Sequence, residues 1–506
     1  MKRPIEKRPQ SEAGNAGFIS WQDIISSDNA RRRPKWEGWW YLSHLDSKGF
    51  RSGGITMSRT MSWNRRDMLR TILGVTAGWC GAGSTALGAP GILRSPTAAN
   101  KLNLAIIGVN NRGAANLAAV AQENIVALCD VDEEWSAQQR ARFPQAAFFT
   151  DYRRMFDQLH HKIDAVVIST PDHHHALPAA IALSLGKHVY CEKPLTLTVH
   201  EARYLRQLAA EKKAITQMGT QIHAGENYRR VVEWVRSGVL GSIRRVLVWN
   251  SSKPVGGRRV NKPGPTKLNR DLWLGPNENA FFEAEMLPSG WKFPWPHFHW
   301  RWWWEYGGGT LADLGCHYID LPFWALDLTA PTRVEARGRK TYTGDNDVPD
   351  ILQVDYYFPE RGTRPPVHLT WYHGVPGPDL DGKETFKGYP AGILFVGEKG
   401  RLVADYSKHQ LLPEELARAV MPPPRTIPPS VGHHREWCDA IRQGTLPSCH
   451  FGYAGPLTET VLLGNVAYRT GKAISWNPEK GTTGDAQADA LLSRNYRKGW
   501  ELPKLG

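Results

Sequence analysis

Leu104-Ala105-Ile106-Ile107-Gly108-Val109-Asn110-Asn111-Arg112-Gly113 is the stretch that decides how this chain folds. An unbroken apolar run such as 104–107 suits a strand covered on both faces rather than one that alternates towards water. Gly108 ends the run, and residues 111–121 carry the spacing of a helix. Strand, glycine-rich turn and helix in that order make a seat for a diphosphate. Glycines permit the tight turn, and the helix start offers free N–H groups and a partial positive charge. The middle glycine of the usual turn is replaced by Asn110. Asparagine tolerates left-handed backbone better than most residues, so Gly108, Asn110, Arg112 and Gly113 remain the expected diphosphate contacts.

The same alternation continues outward. Short apolar runs predict strands over 125–130, 147–149, 165–169, 188–191 and 215–218. Between them, helices are predicted over 133–143, 152–159, 176–185 and 199–212. Alternating strands and helices with short loops give a parallel sheet covered on both faces, and ligands then bind beyond the carboxyl ends of its strands. The fold class is therefore α/β, a Rossmann-like doubly wound sheet. Asp130 ends the second strand, 22 residues after Gly108. A carboxylate there accepts hydrogen bonds from the adenosine ribose and repels a 2′-phosphate, which favours NAD over NADP.

Two further strand ends carry polar clusters. Ser169-Thr170-Pro171-Asp172-His173-His174-His175 is expected to line the nicotinamide side of the cofactor, with Thr170, Pro171 and His175 as contacts. Three adjacent histidines at a helix start point in different directions, so no metal is expected. The second cluster, Tyr190-Cys191-Glu192-Lys193-Pro194, ends the fifth strand. A lysine there is either catalytic or a surface residue ahead of a helix opened by Pro194.

Beyond residue 221 the pattern changes. A helix over 227–237 and strands over 243–249, 367–372 and 393–397 suit an α+β domain with a mostly antiparallel open sheet. The last long helix is expected over 436–442 or 457–470. Trp291 to Tyr306 is dense in aromatic residues and runs directly into Gly307-Gly308-Gly309. Flat rings bind the C–H faces of sugars, so Trp304 and Tyr306 are candidate substrate contacts. The other reading is that these rings pack a domain junction or a subunit interface.

Four elements occur in a fixed order: the glycine turn, Thr170-Pro171-Asp172-x-x-His175, Gly186 to Pro194, and Gly309-Thr310-Leu311-Ala312-Asp313-Leu314-Gly315-Cys316-His317. Together they resemble the Gfo/Idh/MocA oxidoreductases, the glucose–fructose oxidoreductase and inositol dehydrogenase family, over about residues 102–475. The resemblance implies that Lys193 stands beside the nicotinamide and the reacting hydroxyl, with Glu192 on the cofactor side. It makes Asp313 and His317, spaced D-x-x-x-H on a second-domain helix, the other catalytic residues. Positions i and i+4 share a helix face. A histidine can take a hydroxyl proton near neutral pH while an ammonium steadies the oxyanion. The implied function is NAD-dependent hydride transfer from a sugar, cyclitol or polyol carbon. A redox-neutral glycoside hydrolase or lyase on the same site is the first alternative, and a non-catalytic sugar or nucleotide sensor the second. Homo-oligomers through the C-terminal sheet are also implied.

The chain has 506 residues and a formal charge of +14. The excess is concentrated at the front: residues 1–100 hold 15 Lys/Arg against 7 Asp/Glu, and the remainder 48 against 42. That distribution argues against a nucleic-acid surface. Asn64-Arg65-Arg66-Asp67-Met68 before the Gly/Ala-rich run 71–86 resembles a twin-arginine export signal and is too short for a stable membrane span. Residues 1–60 lack pattern and suggest a start assigned too early. The expected organisation is thus 1–60 irregular extension, 61–100 signal and linker, 101–222 NAD-binding domain, 223–475 substrate and oligomerisation domain, and 476–506 tail. An exported enzyme would have to keep its cofactor through many turnovers.

Overall fold

The computed structural model describes residues 101–260, 267–278, 284–286, 295–375 and 388–505. The patternless extension and the twin-arginine segment lie outside the described residues. The first sheet is built from β1 (Asn103–Ile107), β2 (Asn124–Cys129), β3 (Ala147–Phe149), β4 (Ala165–Ile168), β5 (His188–Cys191) and β6 (Thr216–Met218). Helices α1 (Arg112–Ala119), α2 (Ala137–Arg142), α3 (Tyr152–Leu159), α4 (Ala176–Ser184) and α5 (Val199–Glu211) alternate with them. All pairings are parallel, in the order β3-β2-β1-β4-β5-β6. The order reverses between β1 and β4, which places the open crevice at the ends of those two strands.

One local expectation changes, and one open alternative closes. The predicted helix over 133–143 shortens to α2, because Asp132 caps a turn by accepting from Trp135 N at 2.8 Å. Pro194 does not open a helix. Residues 192–198 form a loop, and α5 starts at Val199, as the sequence predicts, where Thr198 and Glu201 make a reciprocal capping box. Lys193 is therefore held on a loop at the sheet's ligand edge.

After α6 (Glu226–Arg236) the second sheet begins with β7 (Ile243–Asn250). A small ribbon, β8 (Gly257–Arg259) with β9 (Ala284–Met286), flanks the short α7 (Arg270–Leu274). Then follow α8 (Gly309–Tyr318), α9 (Asp320–Ala325), β10 (Arg333–Arg339), β11 (Ile351–Phe358), β12 (Val367–His373), β13 (Gly392–Gly397), β14 (Arg401–Ala404) and β15 (His409–Leu412). The chain closes with α10 (Glu414–Ala419), α11 (His433–Gln443), α12 (Phe451–Thr470), β16 (Ile474–Ser475) and α13 (Ala486–Ala490). This eight-stranded sheet runs β15-β14-β13-β7-β12-β11-β10-β16, antiparallel except where β7 meets β12. Both of the alternative last helices exist, as α11 and α12.

One apolar cluster runs from Ile107 and Val166 in the first sheet, through Leu311 and Cys316 on α8, to Val354 and Trp371 in the second. Helix α8 is thus wedged between the sheets, which brings its polar face to the edge where Lys193 emerges. Residues 476–505 are laid back on the first domain: Arg494 pairs with Glu201, and Trp500 is buried. The five cysteines among the described residues are buried and free. No helix among the described residues is long and apolar enough to cross a membrane.

Candidate active site

Lys193 reaches across 120 residues of sequence to α8. Its Nζ donates to Asp313 Oδ1 at 2.6 Å and to the Asp313 carbonyl. Only 9% of the lysine side chain is exposed, so the ammonium has given up most of its water and depends on this carboxylate. Burial alone would raise the Asp313 carboxyl, but the Lys193 and Arg301 charges outweigh it and hold it far below the usual carboxylate range. His317 follows one helical turn later, also buried. Burial first, and the Lys193 charge second, lower its imidazole to about 3. Its Nδ1 is buried with no hydrogen-bond partner among the described residues. A buried imidazole without an acceptor for its second N–H is poorly prepared to become an imidazolium.

Sequence reasoning missed Arg301. Its Nε donates to Asp313 Oδ1 at 3.3 Å, and its guanidinium lies 4.2 Å from the Trp300 ring centroid. The residue sits inside the aromatic run, where ring density concealed it. Asp172 was noted only as part of a motif. Burial pushes its carboxyl well above the usual range, against the opposing charges of Arg301 and Lys193. Two cations and two carboxyls thus act on one another beyond the ends of β4 and β5.

The cofactor side is ordered by Glu192. Its Oε1 accepts from Arg112 Nε at 3.0 Å, Asn116 Nδ2 at 2.9 Å and Gln221 Nε2 at 2.8 Å. Burial opposes ionisation here, yet Arg112 and Asn116 hold the carboxyl at about 2. Glu192 therefore fixes Arg112 at the start of α1 and the root of Lys193 together. In the glycine turn, Gly108 has φ +79°, and a Cβ on Gly113 would fall 2.1 Å from the Gly108 carbonyl oxygen. The other positive φ falls on Asn111 (49°), not on Asn110.

Asp130 ties the turn to β2: its Oδ2 accepts from Val109 N and its Oδ1 from Asp132 N, each at 3.0 Å. Each carboxylate oxygen keeps room for one more donor. Thr170 Oγ1 is buried without a partner among the described residues. The open N–H groups of the first turn of α1, the spare acceptors of Asp130 and this hydroxyl fit a dinucleotide diphosphate and ribose.

Three expectations need correction. Both ring nitrogens of His175 lie on main-chain carbonyls, Pro194 O at 2.8 Å and Thr170 O at 2.9 Å. It joins two loops and offers no ring nitrogen to a cofactor. Pro171 opens the 3₁₀ turn Asp172–His174, in which His173 and His174 both bond the Trp273 carbonyl. Tyr306 is fully buried, packed on Trp273 at 4.8 Å and His173 at 5.1 Å, so it is no pocket wall. Trp304 does line a cavity of about 530 Å³, with Asn277, Asn465 and Arg469, but Lys193, Asp313 and His317 are not among its lining residues.

Residues 102–220 match the family described as "Oxidoreductase family, NAD-binding Rossmann fold", and residues 283–403 match the "GFO/IDH/MocA C-terminal domain". A glycosyl hydrolase family 109 protein of Solibacter usitatus is 28% identical over 195 residues, 36% of this chain and 44% of that protein. The rhizopine catabolism protein MocA of Rhizobium meliloti is 25% identical over 193 residues, 36% of this chain and 60% of that protein. Neither match spans two thirds of the relative's own length. The crystal structure of GenD2 from gentamicin A biosynthesis, in complex with NAD, shares the fold with a TM-score of 0.52. That likeness covers 76% of this chain and 99% of that one at 19% identity. Residues 102–220 and 283–403 thus match, in order, the models of the NAD-binding and C-terminal domains of the Gfo/Idh/MocA oxidoreductases.

Proposed function

We propose that this chain is an NAD-dependent oxidoreductase moving a hydride between a hydroxyl-bearing carbon of a sugar, cyclitol or other polyol and nicotinamide. One observation carries the reading: Lys193 Nζ is fastened to Asp313 at 2.6 Å, one helical turn from His317. Gly108, Asn110, Arg112, Gly113, Asp130 and Thr170 would hold the NAD, which when bound supplies the hydride acceptor. The placement of Asp130 at the end of β2, with acceptor room left on each oxygen, supports NAD over NADP, since a carboxylate there would repel a 2′-phosphate.

Lys193 donates to the substrate hydroxyl oxygen and stabilises the negative charge that develops there. His317, neutral at pH 7, accepts the hydroxyl hydrogen. An imidazole lowered to about 3 is a weak base, so proton loss depends on Lys193 polarising the oxygen first. Asp313 orients Lys193, and Arg301 keeps Asp313 ionised.

A second reading uses the same residues in a redox-neutral glycoside hydrolase or lyase, and the matching stretch in a glycosyl hydrolase family 109 protein favours it. The test is to present NAD-loaded protein with a polyol panel and a glycoside panel. NADH accumulating with a polyol supports the dehydrogenase. Reducing sugar released without net NADH supports the second reading. Silence on both panels, with Lys193→Met indistinguishable from wild type, overturns both in favour of a sensor.

A further inference from the structure

The glycine turn departs from its usual form by carrying a side chain at 110, and the side chains of both Asn110 and the following Asn111 are used. Asn110 Nδ2 donates to the Trp135 carbonyl. Asn111 Nδ2 donates to the His297 carbonyl at 3.1 Å, joining the first turn of the NAD-binding domain to the aromatic segment of the other. His297 is held a second time, with Nε2 at 3.0 Å from Asp132 Oδ2, two residues past the ribose carboxylate. These two side chains are 11% and 7% exposed. The His297 ring also lies on Trp135, 4.3 Å between centroids. Four residues later the same segment ends on the reacting side, where Arg301 meets Asp313. Glycine at 110 and 111 could form neither amide bond, so this chain's own sequence supplies the fastening.

We propose that residues 295–301 form a strap across the dinucleotide cleft, anchored by Asn111 and Asp132 at the adenosine end and by Asp313 at the reacting end. The proposal rests on the NAD-binding reading of the same site. A strap fixed at both ends must release at one of them before the dinucleotide can leave, so the cofactor is retained between turnovers. Lids of this kind set release rates without touching the chemistry. His297 and Asn111 are positioning residues that act through the strap.

The full-length protein is loaded with isotopically labelled NAD, and its exchange against excess unlabelled NAD is followed by mass spectrometry after rapid desalting. The wild type is expected to exchange slowly. Asn111→Gly removes one tie, and glycine accepts the positive φ there without strain. His297→Ala removes the second tie and the ring contact. Losing one hydrogen bond of this kind converts to about 2- to 13-fold in rate, so each variant should exchange about 2- to 13-fold faster, and the pair together faster still. Circular dichroism and melting temperature check that the fold is unchanged, and should His297→Ala fail to fold, Asn111→Gly alone carries the test. Wild-type and variant proteins that hold NAD but exchange it at equal rates overturn the strap and leave the cofactor reading standing. A wild type that binds no labelled NAD overturns the cofactor reading, and the strap with it.

Discussion

Residues 102–220 and residues 295–306 are both rich in large apolar side chains, yet their sequences carry different kinds of information. In the first region the apolar residues are spaced. Short runs separated by turn residues specify buried strands, and the chemistry sits at the strand ends. In the second, apolar rings follow each other with no period. Trp295, Trp300, Trp302, Trp303 and Tyr306 are all buried, in one cluster with Leu268, Trp273 and Val348. Two polar residues of this stretch, His297 and Arg301, reach the cofactor and reacting sides of the site. Large rings gain so much from leaving water that density alone speaks for packing. In such a run the charged residue is the better guide to function.

The sharpest test of the first region is Lys193→Met. It removes the only group bridging β5 and α8 in the proposed chemistry, and kcat/KM should fall by about 10³-fold, within the usual range for loss of a polarising or proton-handling group. NAD exchange should stay near the wild-type rate, because the substitution leaves the glycine turn and the strap intact. Steady-state kinetics on whichever substrate the panels identify check the loss. A variant within 10-fold of wild type would remove Lys193 from the mechanism.

In the second region the largest effect should be on stability. Trp303 is 1% exposed. Trp303→Ala would leave a void among packed rings and cost about 3–5 kcal/mol, as other large-to-small core changes do. Urea unfolding followed by circular dichroism measures it. A loss below about 1 kcal/mol would mean that the aromatic cluster is not a core, and the contrast between the two regions would fail.

The legibility of the sequence follows the same division. β3, β5 and α3 were read to the residue, because flanking turn residues and a short apolar run leave little choice of register. Lys193, Asp313 and His317 were legible only through motif order, since nothing local says that positions 120 residues apart will meet. β10 and β11 escaped notice: Arg333–Arg339 is polar for a strand and finds its partners through the tertiary sheet. Pro194 alone left two readings open for a local reason. Proline favours a helix start as readily as a loop, and the capping box at Thr198 and Glu201 decides which. His175 reads as a cofactor contact because a histidine beside a site can face in or out, and only coordinates show both nitrogens already in use. The cluster of Arg301 with Asp313 combines a residue from each kind of signal, and neither alone predicts it.

That cluster offers an intermediate effect. Burial raises the Asp313 carboxyl, while Lys193 and Arg301 lower it by more. Removing one cation shifts the balance upward, so Arg301→Gln should move the acid limb of the pH–kcat/KM profile to higher pH. The sign follows from a depressed carboxylate: it is lost as pH falls through its own pKa, and raising that pKa brings the loss closer to neutrality. The expected drop at pH 7 is about 10-fold, on the scale of one charge-assisted hydrogen bond of about 1.5 kcal/mol. Arg301→Lys should restore the acid limb in part, since a charge remains, but it cannot restore the guanidinium's contact over the Trp300 ring. An unmoved profile in Arg301→Gln would reduce Arg301 to a packing residue and leave His297 alone as the polar exception.

The smallest effect belongs to Trp304, next in sequence to the residue with the largest structural one. Its ring faces the cavity of about 530 Å³ and carries Arg469 at 5.1 Å from its centroid. Truncation there enlarges a space that already exists and closes off no new void, so Trp304→Ala should cost less than about 1 kcal/mol, the scale of one exposed cation–π contact. The cavity is not lined by Lys193, Asp313 or His317, so kcat/KM should change by less than a factor of two or three. Unfolding curves and the same kinetic assay run beside Trp303→Ala separate the neighbours cleanly. A loss of catalytic efficiency approaching that of Lys193→Met, with stability kept, would return the aromatic segment to the role of a substrate wall. In that case a ring of the segment would join its polar residues as a link to the chemistry.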